Sequence, residues 1–207
     1  MHRGGVTEQI VSDSPRGRPI LNIIGASVAL GPLRRDLLPY YERWMNDFEV
    51  TKTLAVGWLA MTSESESEWY EHASRASDQV TFTVYERPEL RPIGNAGLTD
   101  INFRHGTAEF GIMIGEKDCW GKGYGTEVTR LVLDYAFTGL GLHNVMLRCY
   151  ATNEAGLRAY ARAGFKVIGR RRESRRNGVE RVDTVFMDCL ASDVEPTSIR
   201  KLLDKRS

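Results

Sequence analysis

The sequence predicts one mixed α+β (α/β) domain: helices first, then a largely antiparallel sheet interrupted by two helices. Three observations carry that expectation. Apolar residues recur at helical spacing within 36–46, and a helix start signal opens 64–75. The pattern switches to β-branched and aromatic runs over 80–114. A long helical pattern, a strand, a short helix and a hairpin signal then follow to residue 190. At 207 residues the chain suits one ordinary domain that can bury its own core.

Residues 1–19, rich in Gly, Pro, Ser and Arg and without a long apolar core, are expected to be a mobile arm rather than a signal peptide. Residues 20–192 are expected to form the domain, and 193–207 a short tail or helix. A first strand is expected at 27–32. Leu37, Leu38, Tyr41 and Trp44 stand at i, i+1, i+4 and i+7 and predict a helix over 36–46. Ser63 and Glu66 match an S-x-x-E capping box, which starts a helix at 64 that runs to 75. Strands follow at 80–86, 93–102 and 107–114, the last two joined antiparallel by the turn at 104–106.

Val128, Leu131, Val132, Tyr135 and Ala136 form the clearest amphipathic stripe, ended by Gly139. A strand at 145–150 leads to a short helix capped by Asn153 and closed by Gly164. Strands at 165–170 and 181–190 make a hairpin around Asn177-Gly178.

Composition narrows the function. A formal net charge of +1 does not suit a protein built globally for nucleic acid or an anionic membrane. Cys119, Cys149 and Cys189 are odd in number and widely spaced, which argues against a disulfide framework or zinc cluster and fits a reducing cytoplasm. The four histidines show no ligand spacing, so no metal is expected. No apolar run reaches the length of a membrane span.

The chemically informative stretch is EFGIMIGEKDCWGKGYGTE, residues 109–127. A strand, a glycine loop and a helix N-terminus follow one another, a recipe for gripping phosphate: glycines let the backbone approach, and unpaired amides at the helix start favour an anion. A Walker A loop fails, because Gly115 is one residue too far from Gly121-Lys122 and Gly123 replaces the Ser or Thr. A dinucleotide fingerprint fails, because Gly121, Gly123 and Gly125 come late and outside a Rossmann pattern. The kinase elements are absent. Read alone, three close glycines also suit a simple turn.

Trp120-Gly121-Lys122-Gly123-Tyr124-Gly125 resembles the [QR]-x-x-G-x-[GA] signature of the GNAT superfamily of N-acetyltransferases, with Trp120 in place of Gln or Arg. That departure, followed by Thr126-Glu127, resembles the Rim-type branch that acetylates ribosomal-protein N-termini. Downstream, residues 153–165 resemble the family's N-x-x-[AS]-x-x-x-Y-x-[KR]-x-G-F, with Asn153, Tyr160, Arg162, Gly164 and Phe165 in place. The likeness covers 94–190 well and 30–86 thinly.

The resemblance implies a GNAT-like fold, with a twisted sheet whose splayed strand pair holds acetyl-CoA as acyl donor. It places the pyrophosphate on the amides of Lys122, Gly123, Tyr124, Gly125 and Thr126, within the loop that Trp120 and Gly121 open. Pantetheine would run along Ile112, Met113 and Ile114, where the family's strand bulges. A backbone amide near Met113 would face the acetyl oxygen. Asn153 would bind the pantetheine or the phosphate end. The amine would attack the thioester directly, after losing a proton, since a primary ammonium has a pKa of about 10. Glu109 is the candidate base, or else a strand carboxylate in a salt bridge. Tyr160 is the candidate acid for the leaving thiolate, or else a core tyrosine.

Weaker features remain. Arg170, Arg171, Arg172, Arg175, Arg176 and Arg181 form a basic hairpin, either an RNA contact or a solvated tip. Glu64, Glu66 and Glu68 suit either a polyamine or their own helix N-terminus. Trp44, Trp58, Trp69 and Tyr70 either wall an acceptor pocket or belong to the core. No cysteine has an evident His partner, so no cysteine nucleophile is expected. The expected acceptor is a protein or peptide N-terminal amine. The alternatives are a small amine (polyamine, amino sugar or aminoglycoside) and a non-catalytic acyl-CoA-binding module. The expected partners are thus acetyl-CoA and an amine, in the cytoplasm, with a homodimer left open and no part for membrane or nucleic acid.

Overall fold

The computed structural model describes residues 17–55 and 58–195. The expected arm, apart from residues 17–19, and the tail beyond 195 lie outside the described residues. The strands are β1 (Ile23–Ile24), β2 (Val28–Pro32), β3 (Val80–Glu86), β4 (Arg91–Asn102), β5 (Thr107–Ile114), β6 (Asn144–Tyr150), β7 (Lys166–Asn177) and β8 (Glu180–Leu190). The helices are α1 (Leu38–Asn46), α2 (Phe48–Thr51), α3 (Ser63–Arg75), α4 (Tyr124–Asp134) and α5 (Glu154–Ala163).

The eight strands of the described residues form one sheet in the order β1-β2-β3-β4-β5-β6-β8-β7. Every pair is antiparallel except β5 with β6, which run parallel because α4 carries the chain across. Alternation sorts the side chains. Ala108 and Phe110 of β5 face the larger core with Val128, Leu131 and Val132 of α4. Met113 faces the other way, onto a second cluster of Leu37, Tyr41, Trp44 and Tyr85 beneath α1 and α3.

Local chemistry sets the ends. The capping box at α3 uses Thr62 and Ser65, not Ser63 and Glu66: Ser65 N donates to Thr62 Oγ1 at 3.2 Å and Thr62 N to Ser65 Oγ at 3.1 Å. Glu66 is thereby turned inward and is 4% exposed, with its carboxyl pushed up to about 6 by burial and by Glu42. Asn153 caps α5 as expected, accepting from Gly156 N at 3.0 Å, and Gly164 ends it at φ 120. The arginine-rich stretch after residue 170 is strand rather than hairpin tip. β7 absorbs it through register shifts at Val167/Gly169 and Arg171/Arg175, and Asp183 on β8 binds Arg170.

Candidate functional site

The site begins where the parallel pair fails. Thr107, Ala108 and Glu109 pair with Asn144, Val145 and Met146, and no pairing continues beyond them. β5 stays in register with β4 to Ile114, while β6 stays with β8 to Tyr150. The two strands therefore part, leaving a cleft of about 590 Å³, within the range of small-molecule sites.

The unpaired edge of β5 has a definite polarity. Gly115 N donates to Ile93 O at 2.8 Å. With Asn95 opposite Met113, the alternation of an antiparallel ladder turns Met113's amide toward β4 as well. The free edge in the cleft is thus Ile112 and Ile114, so these neighbours, rather than Met113, offer amides there. Trp120 Nε1 takes the Ile114 carbonyl at 2.8 Å, which pins the glycine loop to the strand end. The bulge expected at 112–114 lies instead in β4, between Thr99 and Asn102, where Asp100 has φ 51.

The glycine loop forms the outer wall. Gly121 and Gly123 adopt φ 75 and 87, which side chains rarely tolerate. A Cβ on Gly121, Gly123 or Gly125 would meet nothing within 4 Å, so all three face open space. Gly123 is the N-cap of α4 and supplies no side-chain cap, which leaves the first-turn amides without a side-chain partner. Free amides, the positive end of the helix and an open cleft beside an unpaired strand edge fit a pyrophosphate with a pantetheine arm. Nearby cations are partly neutralised. Lys122 Nζ stands 3.6 Å from Glu86, and Arg91 joins Glu86 at 2.8 Å and Asp118 at 2.7 Å.

Tyr160 projects from α5 into the cleft, against Phe110 and Phe165 with ring centroids 6.2 Å away in each case. Burial, with Cys149 beside it, pushes its phenol well above the ordinary tyrosine range. Glu109 shares a face with Met113, opposite to Phe110 and hence to Tyr160. Its Oε1 accepts from Arg148 Nε at 2.7 Å, so it has the salt bridge. Its Oε2 has no hydrogen-bond partner among the described residues. The two candidates thus stand on opposite sides of the strand at the point of the splay.

The inner wall comes from the first helices. Glu49, Val50, Lys52, Thr53 and Leu54 line the cleft. Lys117 ties this segment to the loop through Asp47 at 2.8 Å and Glu49 at 3.1 Å. Tyr150 Oη donates to Leu54 O at 3.2 Å and ties it to β6. Trp44, 2% exposed, gives its indole N–H to Glu116 at 2.8 Å and covers Gly115, where a Cβ would collide with the ring. Trp44 is a core residue of the second cluster, with Trp69 and Tyr70 packed half-buried against it. Trp58 stacks on Phe48 in the open, 54% exposed. All three cysteines are buried and free, and burial pushes the Cys149 thiol up to about 11, which suits packing rather than nucleophilic attack.

Arg148, Tyr150 and Lys117 carry no sequence signal of their own. Each acts through a partner dozens of residues away, and only the sheet order brings the pairs together.

Residues 28–166 match the family model described as Acetyltransferase (GNAT) domain. The chain is 31% identical over 151 residues to spermidine N(1)-acetyltransferase of Escherichia coli K12, covering 69% of this chain and 75% of that one. It is 28% identical over 160 residues to human alpha/beta-tubulin-N-acetyltransferase 9, covering 70% and 75%. The fold matches the crystal structure of spermidine N-acetyltransferase from Vibrio cholerae in complex with CoA and spermine. The TM-score is 0.76 at 25% identity, over 82% of this chain and 98% of that one.

Proposed function

We propose, from the premise that this chain belongs to the GNAT acetyltransferase family, that its acceptor is a small polyamine-like amine. As a family member it is an acetyl-CoA-dependent N-acetyltransferase. The observation that carries the acceptor is the likeness to spermidine acetyltransferases in both sequence and fold. It favours a small amine over the peptide N-terminus of a Rim-type acceptor. Glu42 on α1 and Glu66 on α3 stand close enough to interact, an acidic pair beneath the first helices that suits a cationic acceptor. The tubulin acetyltransferase relative keeps a protein amine as the second reading.

The test is a rate comparison at equal acetyl-CoA, with spermidine and spermine against short peptides with free N-termini. Polyamines are expected to be the better substrates by at least about tenfold in kcat/KM. Faster turnover of the peptides would overturn the acceptor.

Acetyl-CoA supplies the activated acetyl group, and the chain positions it. The amides of Lys122 to Thr126 would hold the pyrophosphate. The edge of Ile112 and Ile114 would hold the pantetheine as an added strand, and the Ile114 amide would face the acetyl oxygen. Asn153 accepts the helix-cap bond through its side-chain oxygen and would offer its amide nitrogen to that arm. The acceptor would enter from the face of Glu109 and the thiol would leave on the face of Tyr160. Glu109 Oε2 would take the ammonium proton directly or through water.

Glu109→Gln is therefore expected to lower kcat/KM most near neutral pH, where the amine is protonated, by about tenfold or more. Raising the pH should restore part of it. A parallel loss at every pH, together with a lowered melting temperature, would reduce Glu109 to a structural partner of Arg148.

A further inference from the structure

We infer that Arg162, with Arg158 one turn before it, binds the 3′-phosphate on the adenosine of coenzyme A. The inference rests on the acetyl-CoA reading of the cleft and adds to it the group that recognises one end of the donor.

Coenzyme A carries a pyrophosphate and a separate phosphate monoester on its ribose. The amides of α4 can meet the first, but one helix start has few free donors and its influence fades within a turn. The second needs its own counter-charge. Most cations around the loop are already engaged: Lys117 with Asp47 and Glu49, Lys122 with Glu86, Arg91 with Glu86 and Asp118.

Two cations that line the cleft have no carboxylate partner among the described residues, Arg162 and Lys52. Lys52 lies on the inner wall, in the segment that Tyr150 ties to β6. Arg162 lies on α5, which packs against α4, and the cleft runs between them with Gly125 and Thr126 on its far side. Arg158, at i−4 on the same helix face, also lines the cleft. Its one ion pair among the described residues, to Glu154 at 3.1 Å, is solvent-exposed and easily exchanged. Side chains on a helix lean toward its N-terminus, so Arg162 leans over Arg158. Two guanidinium forks on one face match the oxygens of a phosphate monoester.

Arg162 is also dispensable to the fold. Its side chain is exposed, and the contact that ties it to α4 uses its backbone carbonyl, which accepts from Arg130 at 2.6 Å. Arg162→Gln leaves that contact in place.

The experiment is calorimetric titration of the purified full-length chain with coenzyme A and with dephospho-coenzyme A, which lacks only the 3′-phosphate. The wild type is expected to bind coenzyme A more tightly by about tenfold or more. Arg162→Gln combined with Arg158→Gln should bring coenzyme A down to the affinity of dephospho-coenzyme A and leave the latter unchanged. Lys52→Gln should keep the wild-type preference. Equal affinities in the wild type would overturn the inference while leaving the acetyl-CoA site standing. A preference that survives the double substitution, or that disappears in Lys52→Gln, would also overturn it. Failure of the wild type to bind either ligand would remove the acetyl-CoA reading and the inference together.

Discussion

Gly123→Asp is expected to reduce acetyl-CoA affinity by about a hundredfold or more while leaving the fold intact. Two effects act in the same direction. A side chain at Gly123 would stand in the open space beside the first-turn amides, where the proposed pyrophosphate must approach the backbone. It also places a negative charge where a dianion must lie. Losing one or two charge-assisted hydrogen bonds, each worth about 1.5–3 kcal/mol, gives a change of that size.

The fold should survive for reasons visible at the site. A Cβ on Gly123 meets nothing within 4 Å, so the new side chain collides with no part of the fold. The cost is the left-handed backbone at φ 87, about 1 kcal/mol for a residue type that tolerates it better than most. Calorimetry beside a thermal melt separates the two effects. Gly123→Ala, with a backbone cost at least as large but no charge and no acceptor, should lose much less affinity. Unchanged binding in Gly123→Asp would sink the phosphate assignment.

Legibility in the sequence followed the range of the interaction. The stripe of α4, the cap and stop of α5, and the glycine loop each depend on residues within a few positions, and all three were readable. The α3 cap shows the limit of local patterns. Thr62-Ser65 and Ser63-Glu66 offer similar boxes one residue apart, and the sequence alone does not choose between them. β1 and α2, with two and four residues, are too short to show any period. The splay itself was reached only through family likeness, because it depends on where a parallel pair stops, and pairing leaves no mark on either strand alone. For the same reason the sequence leaves Glu109 open between a base and a strand carboxylate in a salt bridge. Its partner Arg148 lies 39 residues on and meets it only through that register.

Tyr160→Phe is expected to lower kcat by about tenfold or more, with little change in coenzyme binding or stability. Phenylalanine keeps the ring that packs edge-on against Phe110 and Phe165. The Tyr160 hydroxyl has no hydrogen-bond partner among the described residues, so its removal leaves no donor or acceptor stranded. What the variant loses, on the proposed mechanism, is the proton donor for the departing thiolate. The direction of the phenol's shift bears on that role. Burial, then Cys149, hold the group protonated beyond the ordinary tyrosine value of about 10. It can therefore donate throughout the range in which the amine becomes free. The wild-type kcat should show no descending limb up to about pH 10, and the ratio of wild type to Tyr160→Phe should stay constant from pH 7 to that point. The measurement is single-turnover kinetics across that range, which isolates chemistry from product release. A ratio near one would reduce Tyr160 to a packing residue. A ratio that shrinks as pH rises would show a proton lost from a phenol of ordinary acidity, and would contradict the buried environment in which α5 holds it.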